Sequence, residues 1–360
     1  MQPTGSSQPS GLPIGAFPAT DRLAIDEPYT RMWFDLITRS SHRIRNMAAG
    51  FGVLALIFLG LAVTAPDDFN ETLTSALLAG TVVVLLAWVI NVRWRRVADS
   101  VYPRMAWRAA EATVLRSRRT VVTATLDEEH IHLRVPRARL AFRQIVARSH
   151  RIWLCGPDER GRVMVRLDGL SLGVLAKVIA PPAGATPVTP VAAPTARPVD
   201  EPVLAWLLRR QNRAFTIALA CCGLLVVGGA LVLASTTDGT APGVGLLPLV
   251  YGLLMAALVL SGRRRVRQAP NLIASVSGWT PVPVRLDAWQ TGGRVFGPAR
   301  GAIWLPDGTA VLLSVPRAGI DLVANVQASH TLWIAGAPRP GAVVAVGVPG
   351  YPIIGLARLG

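Results

Sequence analysis

The chain has 360 residues, 51% of them hydrophobic, with a mean hydropathy of +0.41 and a net charge of +16. It is too apolar for an ordinary soluble protein and long enough for two or three structural units. Cys155, Cys221 and Cys222 are the only cysteines, which excludes a disulfide framework and offers no metal-ligand spacing.

Residues 1–24 are rich in Pro, Gly and Ser with little charge or periodicity, which predicts a disordered tail. From Asp26 to Arg45, Met32, Trp33, Phe34, Leu36 and Ile37 mark an amphipathic helix at a membrane surface. It leads into an uncharged run, Met47 to Ala65, followed by Leu73 to Val92; two similar runs, Ala214 to Thr237 and Ala241 to Gly262, occur later. A hydrocarbon core of about 30 Å takes roughly 20 apolar residues in a helix. The expectation is therefore four transmembrane helices in two hairpins. The first run starts too far into the chain, and without a small-residue cleavage pattern, for a removable signal peptide.

Arginines flank these runs on one side only. Arg39, Arg43 and Arg45 precede the first, and Arg93, Arg95 and Arg96 follow the second. Arg209, Arg210 and Arg213 precede the third, and Arg263, Arg264, Arg265 and Arg267 follow the fourth. The connecting segments 66–72 and 238–240 carry acids and no Lys or Arg, so the positive-inside rule places both termini and the soluble segments in the cytoplasm. No ionisable residue interrupts the runs, which argues against a coupled transporter. Small-xxx-small spacings such as Ala48 with Gly52 and Gly252 with Ala256 suit close helix approach.

After each hairpin the period changes. Residues 93–180 read as a short helix through Leu115 followed by about five antiparallel strands: Thr120–Leu126, His130–Val135, Leu140–Ala147, Arg151–Cys155 and Arg162–Leu167. A closing helix is expected over Ser171–Ala180. Residues 181–199 form a Pro-rich linker. The sequence then repeats: a surface helix and hairpin over 200–262, echoing Asp26-Glu27-Pro28 in Asp200-Glu201-Pro202, then a β-domain over 263–360. That domain has strands near Pro283–Trp289, Gly301–Leu305, Thr309–Val315, Thr331–Ala335 and Ala342–Gly347, and no convincing final helix. At an offset of 180, Asp127 to Val163 matches Asp307 to Val343 at 13 of 37 positions, which marks an internal duplication.

Two motifs recur within that match. Ser-His-x-x-Trp, at Ser149–Trp153 and Ser329–Trp333, holds the residue types of a nucleophile and its base. Neighbours on a strand point to opposite faces, however, so the favoured reading is a turn entering a strand whose Trp packs in the core. Val-Pro-Arg-Ala reads as a strand ending at a turn; a phosphate contact by Arg137 and Arg317 is the sharper alternative. His130 and His132 share a strand face beside Asp127, Glu128 and Glu129, but no third and fourth ligand appears, so a solvated edge is expected and not zinc.

A surface helix, a hairpin, an arginine cluster and a small cytoplasmic sheet resemble bacterial membrane proteins of the YcxB-like or pleckstrin-homology-like kind. Leu126–Ile131 resembles the strand-turn-strand opening, Arg151–Cys155 a central strand and Ser171–Ala180 the closing helix, which the second copy lacks. The resemblance implies partly open β-barrels suited to protein or lipid contacts, with no catalytic role.

Together these readings predict an α+β integral membrane protein of the bacterial inner membrane. Its bacterial origin is suggested by Lys177 being the only lysine among many arginines. Its expected role is a non-enzymatic scaffold or accessory subunit without cofactor or metal, which presents its β-domains to a protein partner, a second copy or anionic lipid, and not to nucleic acid. Arg93, Arg95, Arg96, Arg137, Arg263, Arg264, Arg265 and Arg317 are the candidate contact residues. A transport component built from two parallel repeats is the alternative; a cavity lined by Thr81, Asn91, Thr216 and Tyr251 would favour it.

Overall fold

A computed structural model describes residues 16–64, 71–116, 120–136, 140–182, 184, 186–187, 197–235, 243–289 and 296–360. The chain divides into two compact units. The first comprises Met1–Leu36, Arg96–Leu204 and Leu272–Gly360; the second comprises Ile37–Arg95 and Ala205–Asn271.

The first unit contains two barrels. In the first barrel β1 (Arg108–Arg116), β2 (Val121–Leu126) and β3 (Glu129–Arg134) precede helix α3 (Leu140–Ser149), and β4 (Arg151–Cys155), β5 (Arg162–Arg166) and β6 (Val174–Ile179) follow it. Every pairing is antiparallel, and the order β1-β2-β3-β6-β5-β4 closes back onto β1; the two-residue β7 (Thr186–Pro187) extends the β1 edge. The second barrel runs β8 (Trp279–Leu286), β9 (Phe296–Trp304), β10 (Ala310–Gly319), α6 (Ile320–Ser329), β11 (Thr331–Ala335), β12 (Val343–Gly347) and β13 (Ile354–Leu359). Its closed order, β8-β9-β10-β13-β12-β11, is the same connectivity.

The registers correspond as well. Ala110 opposite Ile152 answers to Val282 opposite Leu332, Val122 opposite Leu133 to Gly301 opposite Leu313, and Val163 opposite Ala176 to Val344 opposite Ala357. The two similar barrels fit the internal repeat, with one residue added to the offset before the fifth strand. Alternate residues point inward, so Val122, Leu133, Ile152 and Val163 fill one barrel and Val282, Leu313, Leu332 and Val344 the other. Gly301 sits where β9 crosses β8: a Cβ there would run into the Arg285 carbonyl oxygen and lie 2.9 Å from Leu286 Cα. Only glycine permits that approach.

The helix expected through Leu115 ends at Val101, and Arg108–Arg116 is strand β1 instead. Two further expected elements exchange identity. Leu140–Ala147, read as a strand, lies in α3, where Ala141, Phe142, Ile145 and Val146 are buried at helical spacing against the barrel. Ser171–Ala180, read as the closing helix of a pleckstrin-homology-like domain, contains β6, whose Ala176 faces inward opposite Val163. Both barrels thus carry their helix between the third and fourth strands and end on a strand, so the second copy lacks nothing. Residues 16–24 of the expected tail are anchored at their two ends. Ala16 and Ala24 are buried, Leu23 bridges to Ala106, and a short 3-10 turn, Ala24–Asp26, precedes α1 (Pro28–Thr64).

The second unit is built from the long helices α1, α2 (Glu71–Val101), α4 (Pro202–Ser235) and α5 (Gly243–Ala274). The expected surface helix and first run are one continuous α1, because no Pro or Gly separates Arg45 from Met47. Four transmembrane helices are not found. Among the described residues one helix, Pro202–Leu231, is long and apolar enough to cross a membrane. In α5 the apolar stretch among the described residues is Gly252–Ser261. The runs from Met47 and Leu73 lie in α1 and α2, and among the described residues neither supplies a second qualifying helix. Within this unit Gly252 lets α5 approach α4: a Cβ there would stand 2.9 Å from Val226 Cγ2 and 3.1 Å from the Cys222 carbonyl oxygen.

Candidate functional site

The candidate contact arginines are divided between the two units. Arg93 and Arg95 belong to α2 in the second unit; Arg96, exposed near the end of the same helix, belongs to the first. Arg263, Arg264 and Arg265 lie on α5, where the backbone alone is described, and Arg137 lies outside the described residues. Arg317 is exposed, with Pro316, in the bulge that shifts the β10–β9 register between Val315 and Ala318. In the second barrel Val-Pro-Arg-Ala is therefore a bulge inside a strand and not a strand end; a bulge accommodates the residue that cannot donate to the ladder.

Ser-His-x-x-Trp is a helix stop. His150 and His330 adopt left-handed backbone, with φ of 50° and 52°, and their N–H groups donate to the carbonyls of Val146 and Val326 at 2.9 and 2.8 Å. Ser149 Oγ accepts from the Arg151 N–H at 3.3 Å, and Ser329 Oγ from the Thr331 N–H at 3.3 Å, so each hydroxyl serves the backbone of the following strand. Trp153 is buried and its indole N–H donates to Asp168 Oδ1 at 2.7 Å. Replacing His150 or His330 by Gly is expected to stabilise the fold by up to about 1 kcal/mol, since Gly adopts this conformation without the Cβ clash. Thermal unfolding of the full chain checks this; a loss above about 1 kcal/mol would give the imidazole a structural role beyond the cap.

His130 and His132 are rungs of the β2–β3 ladder, their Nδ1 atoms paired with Thr125 Oγ1 at 3.0 Å and Thr123 Oγ1 at 3.1 Å. Among the described residues no three His, Cys, Asp or Glu side chains gather to hold a metal. The Cys155 thiol is buried, and burial pushes it up to about 12, which leaves it protonated and unreactive at neutral pH.

The polar residues that do converge are ones that motif spacing does not mark. Arg166, fully buried, donates from Nη1 to Glu27 Oε2 at 3.1 Å and from Nε to the Leu170 carbonyl at 2.8 Å. The same Glu27 oxygen caps the first turn of α1 by accepting the Thr30 N–H at 2.6 Å, and Trp107 Nε1 donates to Thr30 Oγ1 at 3.2 Å. Asp168 takes Arg151 and Trp153 together; burial pushes its carboxyl above the usual range, against the pull of Arg151.

A second knot joins the barrels. The Ser171 N–H donates to Asp321 Oδ1 at 2.7 Å, Asn325 Nδ2 donates to the Gly169 carbonyl at 2.7 Å, and Asn325 Oδ1 accepts the Ala16 N–H at 3.3 Å. Tyr29 Oη donates to Gln327 Oε1 at 2.7 Å from the start of α1. The β5–β6 loop of the first barrel is thus hydrogen-bonded to α6 of the second. Asp26-Glu27-Pro28 and its echo Asp200-Glu201-Pro202 were the available signals: both glutamates are buried, and burial pushes the Glu201 carboxyl up. The hydrogen bonds and ion pair among these groups run between chain segments far apart in sequence, and that is the chemistry of a joint. No family model matches the chain, and neither a curated protein nor a solved structure does.

Proposed function

We propose that the protein is a non-enzymatic scaffold of a bacterial inner membrane, whose two barrels act as one body and offer their outer faces to a protein partner or to anionic lipid. The observation that carries this reading is the joint itself: the Asp321, Asn325, Arg166 and Glu27 side chains of the first unit bind the barrels to each other and to the start of α1. Side chains committed in this way hold shape and do not turn over substrate. Membrane association is supported by Pro202–Leu231. It is further supported by Leu56, Leu86, Leu224 and Leu254, exposed by 69%, 58%, 74% and 59% on the four long helices. The arrangement of a helix pair followed by a small β-domain supports kinship in layout with YcxB-like membrane proteins.

The test is fractionation of cells producing the full chain, combined with photo-crosslinking from Glu129 and Arg317 on the two barrels. Retention in alkali-washed membranes with a discrete protein or anionic-lipid adduct is expected. Recovery in the soluble fraction, or uniform labelling of bystanders, overturns the reading.

A further inference from the structure

The outer face of the first barrel carries a rung of three cations. Arg134 on β3 stands directly opposite Lys177 on β6, which stands directly opposite Arg162 on β5. Direct cross-strand partners point to the same side with Cβ atoms roughly 5 Å apart, and like charges so placed repel. Arg162 is neutralised by Asp158, Nη2 to Oδ2 at 2.6 Å. Arg134, half-buried, and Lys177, exposed, have no acidic partner among the described residues. The next rung on the same face adds His132, whose ring is steadied by Thr123.

The second barrel is an internal control. Its same three ladder positions hold Ser314, Arg358 and Val343, one cation where the first has three, and Leu312 occupies the place of His132. The barrel therefore closes without the cationic rung, and the rung's repulsion is a cost the fold itself does not require.

We propose that Arg134 and Lys177, with Arg162 as the third rung, form a phosphate-binding site on the first barrel. A forked guanidinium and a point-like ammonium on directly opposed strand positions can reach one phosphate group together, the guanidinium gripping it with two parallel hydrogen bonds. Two uncompensated positive charges balance one phosphate dianion. The rung has no aromatic side chain on which bases could stack, which sets it apart from a single-strand nucleic-acid groove. The site deepens the scaffold reading and rests on it for what the first barrel presents; the phosphate belongs to a lipid headgroup or to a soluble phosphate compound.

The experiment compares the full chain with Arg134→Gln/Lys177→Gln and, as a control, Arg358→Gln. In one arm inorganic phosphate and pyrophosphate are titrated calorimetrically into detergent-solubilised protein. In the other, hydrogen exchange of β3 and β6 is followed in nanodiscs of phosphatidylglycerol and of phosphatidylcholine. Binding in the first arm assigns a soluble ligand, and protection in phosphatidylglycerol alone assigns a headgroup. In either case the double variant is expected to weaken the effect at least tenfold while Arg358→Gln leaves it unchanged. No binding in either arm, or equal binding by the double variant with its thermal midpoint preserved, overturns the site. If the double variant loses binding yet still yields the partner adduct from Arg317, site and scaffold hold separately; binding without any adduct or membrane retention leaves the site standing and removes the scaffold.

Discussion

Replacing Arg166 by Met is expected to cost about 3–5 kcal/mol of stability, the penalty for leaving a buried charge without its partner. Glu27 would be that charge, because its side chain is 5% exposed and its other role is to cap α1 through the Thr30 N–H. The Leu170 carbonyl would lose its donor as well. Because the pair ties the first turn of α1 to β5, the loss is local before it is global: exchange of amides in the first turns of α1 should accelerate at lower denaturant than exchange in β11 and β12. Arg166→Met combined with Glu27→Gln should recover at least half of the loss, since replacing both charges of a buried pair is far less damaging than removing one. Native-state hydrogen exchange of the full chain in detergent measures both effects. A single variant within about 1 kcal/mol of the parent would show that the pair is hydrated and not buried.

The repeat was legible in the sequence because it sits on backbone demands. His150 and His330 each stop a helix in left-handed conformation, and the strand that follows each is fixed by that stop. Most strands were legible from period and turn chemistry. The exchange of α3 and β6 was not, because short apolar runs such as Leu140–Ala147 satisfy both periods and the barrel alone decides which face is covered. The joint was illegible for a different reason. Asp321 and Asn325 read as ordinary polar residues of a helix, and their partners Ser171 and Gly169 lie 150 and 156 residues away. Of the candidate contact residues, those beside the spans were chosen for topology, whereas the cationic rung needs the register of β3, β6 and β5 before Arg134 and Lys177 become neighbours.

Removing the joint by Asp321→Ala with Asn325→Ala should cost on the order of 3–5 kcal/mol, because the Ser171 and Ala16 N–H groups and the Gly169 carbonyl each lose a partner worth about 1–3 kcal/mol when left buried. The two barrels have separate hydrogen-bonded ladders but one shared apolar cluster, so loss of the joint should loosen their coupling, with β8–β13 amides exchanging less in step with β1–β6. Asp321→Asn separates hydrogen bonding from charge. Its amide oxygen can still accept the Ser171 N–H, so stability at neutral pH should match or exceed that of the parent. Burial pushes the Asp321 carboxyl above its ordinary value of 3.8, against the opposing pull of the Ser171 hydrogen bonds and Arg166. The folded protein therefore holds that proton more tightly than the unfolded chain does, and the corresponding stability is full below 3.8 and lost as pH rises through the raised value. Subtracting the parent's stability–pH curve from that of Asp321→Asn isolates this group from Asp168 and Glu201, whose carboxyls burial also raises. The difference should grow in favour of the Asn variant as pH climbs from acid toward neutral. If Asp321→Asn is as damaging at neutral pH as Asp321→Ala, the carboxylate itself, and not its hydrogen bond to Ser171, holds the barrels together.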